Sequence, residues 1–214
     1  MPASHTKVVD RMSDDAARPR RIVLIGLSGT GKSTVGRLVA RRLGWMSGDT
    51  DDQIVSLDGR EIPQIFRDEG EEFFRKIERQ AVLQLSKGDN WVVATGGGAV
   101  LDPVNRERLW HNSFVVYLET TVETLHDRIA HGNPHRAARP LLAGSDPLAS
   151  LSDLYQQRSP LYRLADWCIP TDHLSKQQVA EAIVDAWRDQ STALLSDPNR
   201  LDRVTAVNMT GPRP

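Results

Sequence analysis

The sequence lacks the features that would tie it to a membrane, to an oxidising compartment or to nucleic acid. Its 214 residues include one cysteine, Cys168, so no disulfide can close within the chain, as is typical of a reducing cytosol. Lysine and arginine number 27 against 28 aspartates and glutamates, and the resulting net charge of −1 gives no reason to expect a nucleic acid or an acidic membrane as a partner. No apolar run is long enough to span a bilayer, and residues 1–20 lack the apolar core of a signal peptide. We therefore expect a cytoplasmic protein.

Changes in composition along the chain predict one domain between two tails. Residues 1–20 and 191–214 are polar and carry no clear periodicity, so we expect a flexible N-terminal arm and a flexible C-terminal tail. The 170 or so residues from 21 to 190 are enough for one core. Short apolar runs alternate there with helical patterns, which predicts an α/β fold with a central parallel sheet covered by helices on both faces. In such a fold the loops after the first three strands meet at one edge of the sheet.

The most specific motif is the glycine-rich stretch at residues 26–34, GLSGTGKST. It matches the phosphate-binding loop G-x-x-x-x-G-K-[ST] and lies between an apolar strand pattern and an amphipathic helix pattern, which is the setting that this motif requires. Its glycines let backbone N–H groups turn toward an anion at a helix N-terminus, Lys32 reaches the β- and γ-phosphates, and the Ser33 hydroxyl binds Mg²⁺. A chance glycine-rich turn would not need the strand before it, the complete motif and the helix after it. We predict a nucleotide site formed by Gly29, Thr30, Gly31, Lys32, Ser33 and Thr34.

Two aspartates, Asp49 and Asp51, follow the second predicted strand. If the backbone is still extended there, both side chains lie on the same face. One carboxylate then holds Mg²⁺ or its waters, and the other faces an acceptor substrate. A solvated acidic turn is the alternative, but a phosphate-binding loop nearby favours the functional interpretation, because Mg²⁺ at such loops needs a carboxylate as well as a hydroxyl.

Arg75 lies in a charged run within a helical pattern that follows Gly70 and ends near residue 85. Gly70 and the earlier Gly59 are predicted helix breaks. The spacing allows ion pairs with Glu71 at i,i+4 and Glu78 at i,i+3, so a surface ion-pair face is one interpretation. The other is an arginine that Glu78 holds in place to grip a substrate carboxylate with its planar fork. Residues 50–85 are the expected substrate-binding region.

Three consecutive glycines, at residues 96–98, follow a buried strand pattern and Thr95. A tight turn alone rarely needs three, whereas glycines at a strand end let a ligand or side chain approach the backbone closely. Further on, residues 131–146 form a polar segment that contains Arg139 and is too long for an idle connection. We interpret it as a lid that closes over polyphosphate, with an ordinary solvated loop as the alternative.

Taken in order, these motifs resemble the shikimate kinase family of small P-loop kinases. The resemblance covers residues 21–189 and rests on five motifs: GLSGTGKST at 26–34, DTD at 49–51, Phe74-Arg75 with Glu78, GGG at 96–98, and RPLL at 139–142 followed by RSPLY at 158–162. It implies a P-loop NTPase three-layer fold with a small helical substrate-binding region and a mobile lid. It also implies ATP-dependent phosphorylation of the shikimate 3-hydroxyl, on the route to chorismate and the aromatic amino acids.

The resemblance also implies roles for the acceptor residues. Asp51 binds the shikimate hydroxyls and orients or deprotonates the one that attacks. Arg75 and Arg158 hold the shikimate carboxylate, and the Gly97 backbone contacts the substrate.

On the donor side, the resemblance implies that Lys32 and Arg139 neutralise charge on the phosphoryl group. Ser33 and Asp49 serve Mg²⁺, Asp49 through water, and Arg128 packs on adenine. A second adenine contact, after the last strand, has no secure counterpart around residues 175–178. We expect shikimate and ATP as the substrates and a monomer as the working form.

Three other interpretations make different demands on the sequence. A small-molecule kinase such as a gluconate kinase shares the fold and the ATP site but needs no arginine pair for a carboxylate. A nucleotide-dependent switch needs a guanine-specificity N-K-x-D and a D-x-x-G element, and the sequence has neither. A non-catalytic relative would not need Lys32, Ser33, Asp51 and Arg139, all of which are present.

Overall fold

The computed structural model describes residues 19–130, 146–189 and 199–207. Five strands form one sheet in the order β2-β3-β1-β4-β5, and every described strand pair is parallel. The strands are β1 (Arg21–Ile25), β2 (Met46–Asp49), β3 (Trp91–Ala94), β4 (Ser113–Glu119) and β5 (Trp167–Pro170). The predicted parallel sheet is confirmed.

Eight α-helices in the described part of the chain complete the fold. They are α1 (Lys32–Leu43), α2 (Thr50–Asp58), α3 (Ile62–Leu85), α4 (Pro103–Trp110), α5 (Val122–Ala130), α6 (Pro147–Tyr162), α7 (Lys176–Arg188) and α8 (Arg200–Ala206). A 3₁₀ turn, Ala99–Leu101, precedes α4. The predicted break at Gly70 is present as a kink within α3, where this glycine has φ 81°. No described helix is long and apolar enough to cross a bilayer.

Helices cover both faces of the sheet, so the fold has three layers. Every residue of β1, the central strand, is buried, as expected for a parallel strand with helices on both sides. On one face β1 packs with α1 and α7, and on the other with α3, α4, α5 and α6. A third, smaller cluster joins α2 to α3 and makes up the helical region beside the sheet: Ile54, Ile65, Phe74, Ile77 and Ala81. The three-layer α/β architecture is thus as predicted.

The C-terminal part of the chain differs from the flexible tail that we expected. Helix α8 packs against α4, and Val204 in it is only 3% exposed. A helix of seven residues, RLDRVTA, has too few apolar positions to show a period in the sequence, so its docking depends on partners elsewhere in the fold. The remaining residues of the predicted tail, and residues 1–18 of the predicted arm, lie outside the described residues.

Parallel strands bring the predicted site residues to one edge of the sheet. Strand β1 pairs with β3 through Leu24 and Ala94, and β3 pairs with β2 through Ala94 and Asp49. The loops after these three strands therefore start side by side: the phosphate-binding loop, the acidic turn and the glycine triplet at residues 96–98.

Candidate active site

The phosphate-binding loop is a tight curl between β1 and α1. Gly26, Gly29 and Gly31 have φ of 137°, 99° and 95°, a region that favours glycine. A Cβ on Gly26 would also lie 2.8 Å from the carbonyl oxygen of Leu118 on β4, so only glycine fits there. Lys32 is 7% exposed, and its Nζ donates to the carbonyls of Gly26 and Leu27 at 2.8 and 2.7 Å. The loop thus has the shape and the cation that the sequence predicts.

A cavity of about 590 Å³ opens over this loop. The acidic turn, the end of β3, helix α5 and the segment after β5 form its other walls. Of the predicted site residues, the cavity brings together Gly29, Thr30, Gly31, Lys32, Ser33, Thr34, Asp49, Asp51 and Arg128. Arg139 and the predicted lid, except for Asp146, lie outside the described residues.

The cavity wall opposite the acidic turn contains the predicted Arg128 and, beside it, the segment around residues 175–178 in which the sequence allowed no secure second adenine contact. Arg128, at the end of α5, donates from Nη2 to the carbonyl of Thr171 at 3.0 Å, which joins α5 to the segment after β5. Leu174, Ser175, Lys176 and Gln177 line the cavity from that segment. A signal for this wall was present in the sequence: Ser175 begins α7 with a capping box, so a helix N-terminus follows the last strand here.

The backbone of the acidic turn is extended at Asp49 but helical from Thr50 onward, so the condition for two carboxylates on one strand face is not met. Asp49 is the last residue of β2 and the N-cap of α2, and its Oδ1 accepts from the backbone N–H of Asp51 at 2.9 Å. Asp51 is already in the first turn of α2. The two carboxylates share a cavity because the helix starts directly at the strand end, and not because they alternate along a strand. Between them Thr50 is fully buried and accepts from the Gly96 N–H at 2.7 Å, so the turn is fixed to the glycine triplet.

Each glycine of the triplet lies beside a different predicted side chain, and Gly96 and Gly98 leave no space for a Cβ. A Cβ on Gly96 would lie 2.6 Å from Oδ1 of Asp51. One on Gly98 would lie 2.6 Å from Nη1 of Arg75, and one on Gly97 would lie 3.5 Å from Nη1 of Arg158 and 3.2 Å from a backbone nitrogen of the phosphate-binding loop. The triplet therefore collects the carboxylate and both arginines that the sequence had assigned to an acceptor.

Arg75 is held by two carboxylates, the more exposed Glu71 and the buried Glu78. Its Nη1 lies 2.8 Å from Oε2 of Glu78, and its Nη2 lies 2.8 Å from Oε1 of Glu71. The side chain of Glu78 is only 1% exposed. Burial lowers the pKa of Arg75, but the charge of Glu78 and the hydrogen bonds to both glutamates outweigh it and raise the pKa above its usual value. The guanidinium is therefore permanently charged and fixed in direction.

Arg158 is buried on the other side of the triplet, at 6% exposure. Its Nε is a buried donor with no hydrogen-bond partner in the described part of the chain. Tyr162, one helical turn later in α6, donates to the Gly97 carbonyl at 2.6 Å. Burial raises the pKa of Tyr162, and the nearby charge of Arg158 opposes that rise. Tyr162 was not predicted as a site residue, although it belongs to the RSPLY motif at residues 158–162. An unpartnered buried guanidinium N–H is a natural donor for an anionic ligand.

This geometry defines a class of enzyme. The phosphate-binding loop faces a carboxylate, the half-buried Arg75 and the buried Arg158. This arrangement suits a phosphoryl donor and an acceptor that carries a hydroxyl and a negative charge. That is the site of a P-loop kinase of small molecules.

The comparisons with known proteins identify the family within this class. The family model described as "SKI: Shikimate kinase" matches residues 28–188. A curated shikimate kinase from Symbiobacterium thermophilum is 46% identical over 170 residues, which are 79% of this chain and 97% of that relative. The chain belongs to the shikimate kinase family, and it is an ATP-dependent kinase of the shikimate pathway.

Solved structures agree with this assignment. A structure titled as shikimate kinase from Acinetobacter baumannii in complex with shikimate has a TM-score of 0.74 and 38% identity, and the match covers 81% of this chain and 96% of that one. A gluconokinase from Sinorhizobium meliloti matches with a TM-score of 0.52 and 19% identity over 88% of this chain and 94% of that one, which shows a shared fold alone. The resemblance predicted from the five motifs is confirmed, and the gluconate kinase alternative is not supported.

Proposed function

We propose that this chain transfers the γ-phosphoryl group of ATP to the 3-hydroxyl of shikimate, giving shikimate 3-phosphate and ADP, with the site residues acting as follows. The observation that carries the proposal is the glycine triplet, around which one carboxylate and two guanidinium groups converge beside the phosphate-binding loop. Shikimate has the matching groups: hydroxyls that a carboxylate can bind and a carboxylate that arginines can bind.

The acceptor is held at its carboxylate by Arg75 and Arg158. The orientation of Arg75 by Glu71 and Glu78, and the unpartnered Nε of Arg158, support these roles. The backbone of Gly97 contacts the substrate between them. Because a planar guanidinium grips a carboxylate with two parallel hydrogen bonds, two arginines fix the acceptor's direction as well as its position.

Asp51 binds the acceptor hydroxyls and accepts the proton of the one that attacks. Its carboxylate lies at Gly96 on one side and on the cavity over the phosphate-binding loop on the other, which supports a position between donor and acceptor. The phosphoryl group is only loosely bonded to donor and acceptor in the transition state, so the hydroxyl needs positioning more than full deprotonation. The proton moves to Asp51 late.

The donor lies in the cavity over residues 29–34. Backbone N–H groups of the loop hold the phosphates at the N-terminus of α1, and Lys32 neutralises charge as the phosphoryl group moves. Arg139 adds a second cation when the lid over residues 131–146 closes and excludes water. Arg128 packs on adenine at the wall opposite the acidic turn, where it is tied to Thr171.

Mg²⁺ fits the hard oxygen donors at the start of α1. Ser33 and Asp49 line the same cavity, and the described residues contain no group of three or more metal-ligating acids, histidines or cysteines. Such a site suits an ion that keeps several waters and takes its other ligands from substrate phosphates. We infer that Ser33 would hold the ion directly and Asp49 through water, and that an ion held there would supply positive charge to the β- and γ-phosphates.

The kinase unit that we propose comprises residues 21–190, with substrate binding at 50–85 and the lid at 131–146. A cytoplasmic location and a monomeric working form complete the proposal. The single cysteine and the near-neutral charge support the first. Placement of donor and acceptor residues within one chain supports the second, because this site needs no residue from another copy.

The proposal is tested by an ADP-release assay with ATP and Mg²⁺ and three acceptors: shikimate, gluconate and a nucleoside monophosphate. We expect turnover with shikimate and almost none with the others. A fourth acceptor, shikimate methyl ester, keeps the hydroxyls and loses the negative charge, so its KM should exceed that of shikimate by about 30-fold or more if Arg75 and Arg158 bind the carboxylate. Equal KM values for acid and ester would show that the arginines bind something else.

A further inference from the structure

Helix α8 lies outside residues 28–188, the part of the chain that the family model matches. The Symbiobacterium relative is matched over 97% of its own length by 79% of this chain. The helix is therefore an addition to the matched kinase domain, and its contacts lead back to the acceptor site.

Buried polar and apolar contacts attach α8 to the domain. Arg200 is 6% exposed, and its Nη2 lies 2.5 Å from Oδ2 of Asp166. The same guanidinium donates to the carbonyls of Trp110 at 2.7 Å and Ser113 at 2.6 Å. Val204 belongs to the core cluster that contains Trp110. Removing a partner from such a buried charge is costly, so the docked position of α8 is well defined.

Arg106 connects α8 to the 3₁₀ turn after the glycine triplet. It is 1% exposed, and it donates to four carbonyl oxygens. Two belong to the end of α8, Val204 at 2.5 Å and Val207 at 2.6 Å. The other two belong to the turn, Val100 at 2.7 Å and Leu101 at 3.1 Å. Burial lowers the pKa of Arg106. One buried cation thus depends on both segments for its acceptors.

The 3₁₀ turn, Ala99–Leu101, directly follows the glycine triplet, beside which the acceptor residues lie. Ala99 donates its N–H to the carbonyl of Gly96 at 3.1 Å, and Leu101 donates to that of Gly98 at 3.0 Å. Movement of the turn therefore moves Gly96 and Gly98, against which the Asp51 carboxylate and the Arg75 guanidinium are packed.

We propose that α8 is a positioning element of the acceptor site, which acts through Arg106 to hold the 3₁₀ turn and the glycine triplet in place. This inference rests on the proposed assignment of shikimate to the triplet. When α8 leaves its place, Arg106 loses two of its four acceptors and moves, and the turn follows it. The acceptor half of the site loosens. The phosphate-binding loop touches the triplet only at Gly97 in the described part of the chain and accepts no hydrogen bond from Arg106 there, so it keeps its shape.

The test compares two substitutions in the full-length chain. Val204→Asp places a charge on the buried face of α8, and the matched control Ala206→Asp places the same charge on its exposed face. We expect Val204→Asp to raise the KM for shikimate about threefold to thirtyfold, the range of coupling energies between linked sites, with the KM for ATP within about twofold of wild type. Amides at residues 96–101 should exchange hydrogen faster in this variant than in the control.

The outcomes separate this inference from the proposed function. An equal shikimate KM in the two variants, even with a lower melting temperature for Val204→Asp, overturns the role of α8 and leaves the function standing. A wild-type chain without shikimate turnover overturns the function itself. If Val204→Asp does not fold, Val204→Ala and Arg106→Lys replace it and are judged by the same criteria. Both weaken the link between α8 and the 3₁₀ turn without placing a new charge in the core.

Discussion

At the scale of single residues, the site depends on side chains whose directions are fixed by neighbours. The backbone N–H of Asp51 donates to the Asp49 carboxylate, which sets the start of α2, and the Asp51 carboxylate reaches Gly96. Asp51 is the one acidic side chain that borders both the donor cavity and the triplet in the described part of the chain. Removing the charge of Asp51 is therefore the most direct test of the proposed chemistry.

Asp51→Asn should lower kcat by about 10²–10⁴-fold, because the amide keeps the shape of the side chain but cannot accept the hydroxyl proton. The affinity for ATP should stay within about twofold, as Lys32 and the loop are untouched. Steady-state kinetics with both substrates checks this. Asp52→Asn, an exposed neighbour on the same helix, is the matched control and should behave as wild type. A kcat for Asp51→Asn that equals the control's would exclude proton acceptance by Asp51.

At the scale of elements, the acceptor half of the site consists of the glycine triplet and three helices that pack around it. These are α2, which provides an aspartate at its start, and α3 and α6, which each provide an arginine. The triplet has no side chains of its own, so the space is filled by Asp51 from α2, Arg75 from α3 and Arg158 from α6. Gly98 has φ −94° and ψ −6°, values open to any residue, so glycine is needed there for space and not for conformation.

Gly98→Ala isolates this requirement for space. The new Cβ would lie 2.6 and 2.8 Å from the two Nη atoms of Arg75, and that guanidinium cannot easily withdraw because Glu71 and Glu78 hold it. Added atoms in a packed site cost about 1–3 kcal/mol, so the KM for shikimate should rise about fivefold to a hundredfold, with the KM for ATP unchanged. Kinetics with each substrate varied in turn provides the measurement.

Gly36→Ala is the matched control for that substitution. A Cβ on Gly36, inside α1, would meet Leu24 at an ordinary 3.5 Å, and alanine favours the helix by about 1 kcal/mol. Both KM values should stay at the wild-type level. If Gly98→Ala also left the shikimate KM unchanged, Arg75 would not be the carboxylate ligand.

At the scale of the whole molecule, the features that could be predicted from the sequence are those that depend on local patterns. The apolar runs, the helix breaks and the phosphate-binding loop depend on residues close in sequence, and each has a counterpart in the structure. The strand order β2-β3-β1-β4-β5 and the pairing of each glycine with one side chain depend on contacts between distant segments, so no local pattern encodes them. The start of α2 directly at the end of β2 was not predicted, because no linker residues mark it. Helix α8 was not predicted, because docking rather than propensity supports it.

The stability of the whole molecule should depend on Tyr162 at alkaline pH. This side chain is fully buried, donates to the Gly97 carbonyl at 2.6 Å and stacks on Tyr117 with ring centroids 5.2 Å apart. Burial raises its pKa from the usual 10.0 to about 12, against the opposing effect of Arg158. A pKa that is higher in the folded than in the unfolded chain stabilises the fold below pH 10, and this contribution is lost as the pH rises through about 12.

Urea denaturation of wild type and Tyr162→Phe from pH 7 to 11.5 tests this expectation. At pH 7 the variant should be less stable by about 1–3 kcal/mol, because phenylalanine keeps the stacked ring and leaves the Gly97 carbonyl without its donor. Above pH 10 the free energy of unfolding of the wild type should fall more steeply than that of the variant, so the two curves converge. Tyr155→Phe, in the same helix, controls for the loss of a tyrosine hydroxyl. Parallel curves for wild type and Tyr162→Phe over this range would contradict the raised pKa, and an unchanged stability at pH 7 would show that the bond to Gly97 contributes nothing to the fold.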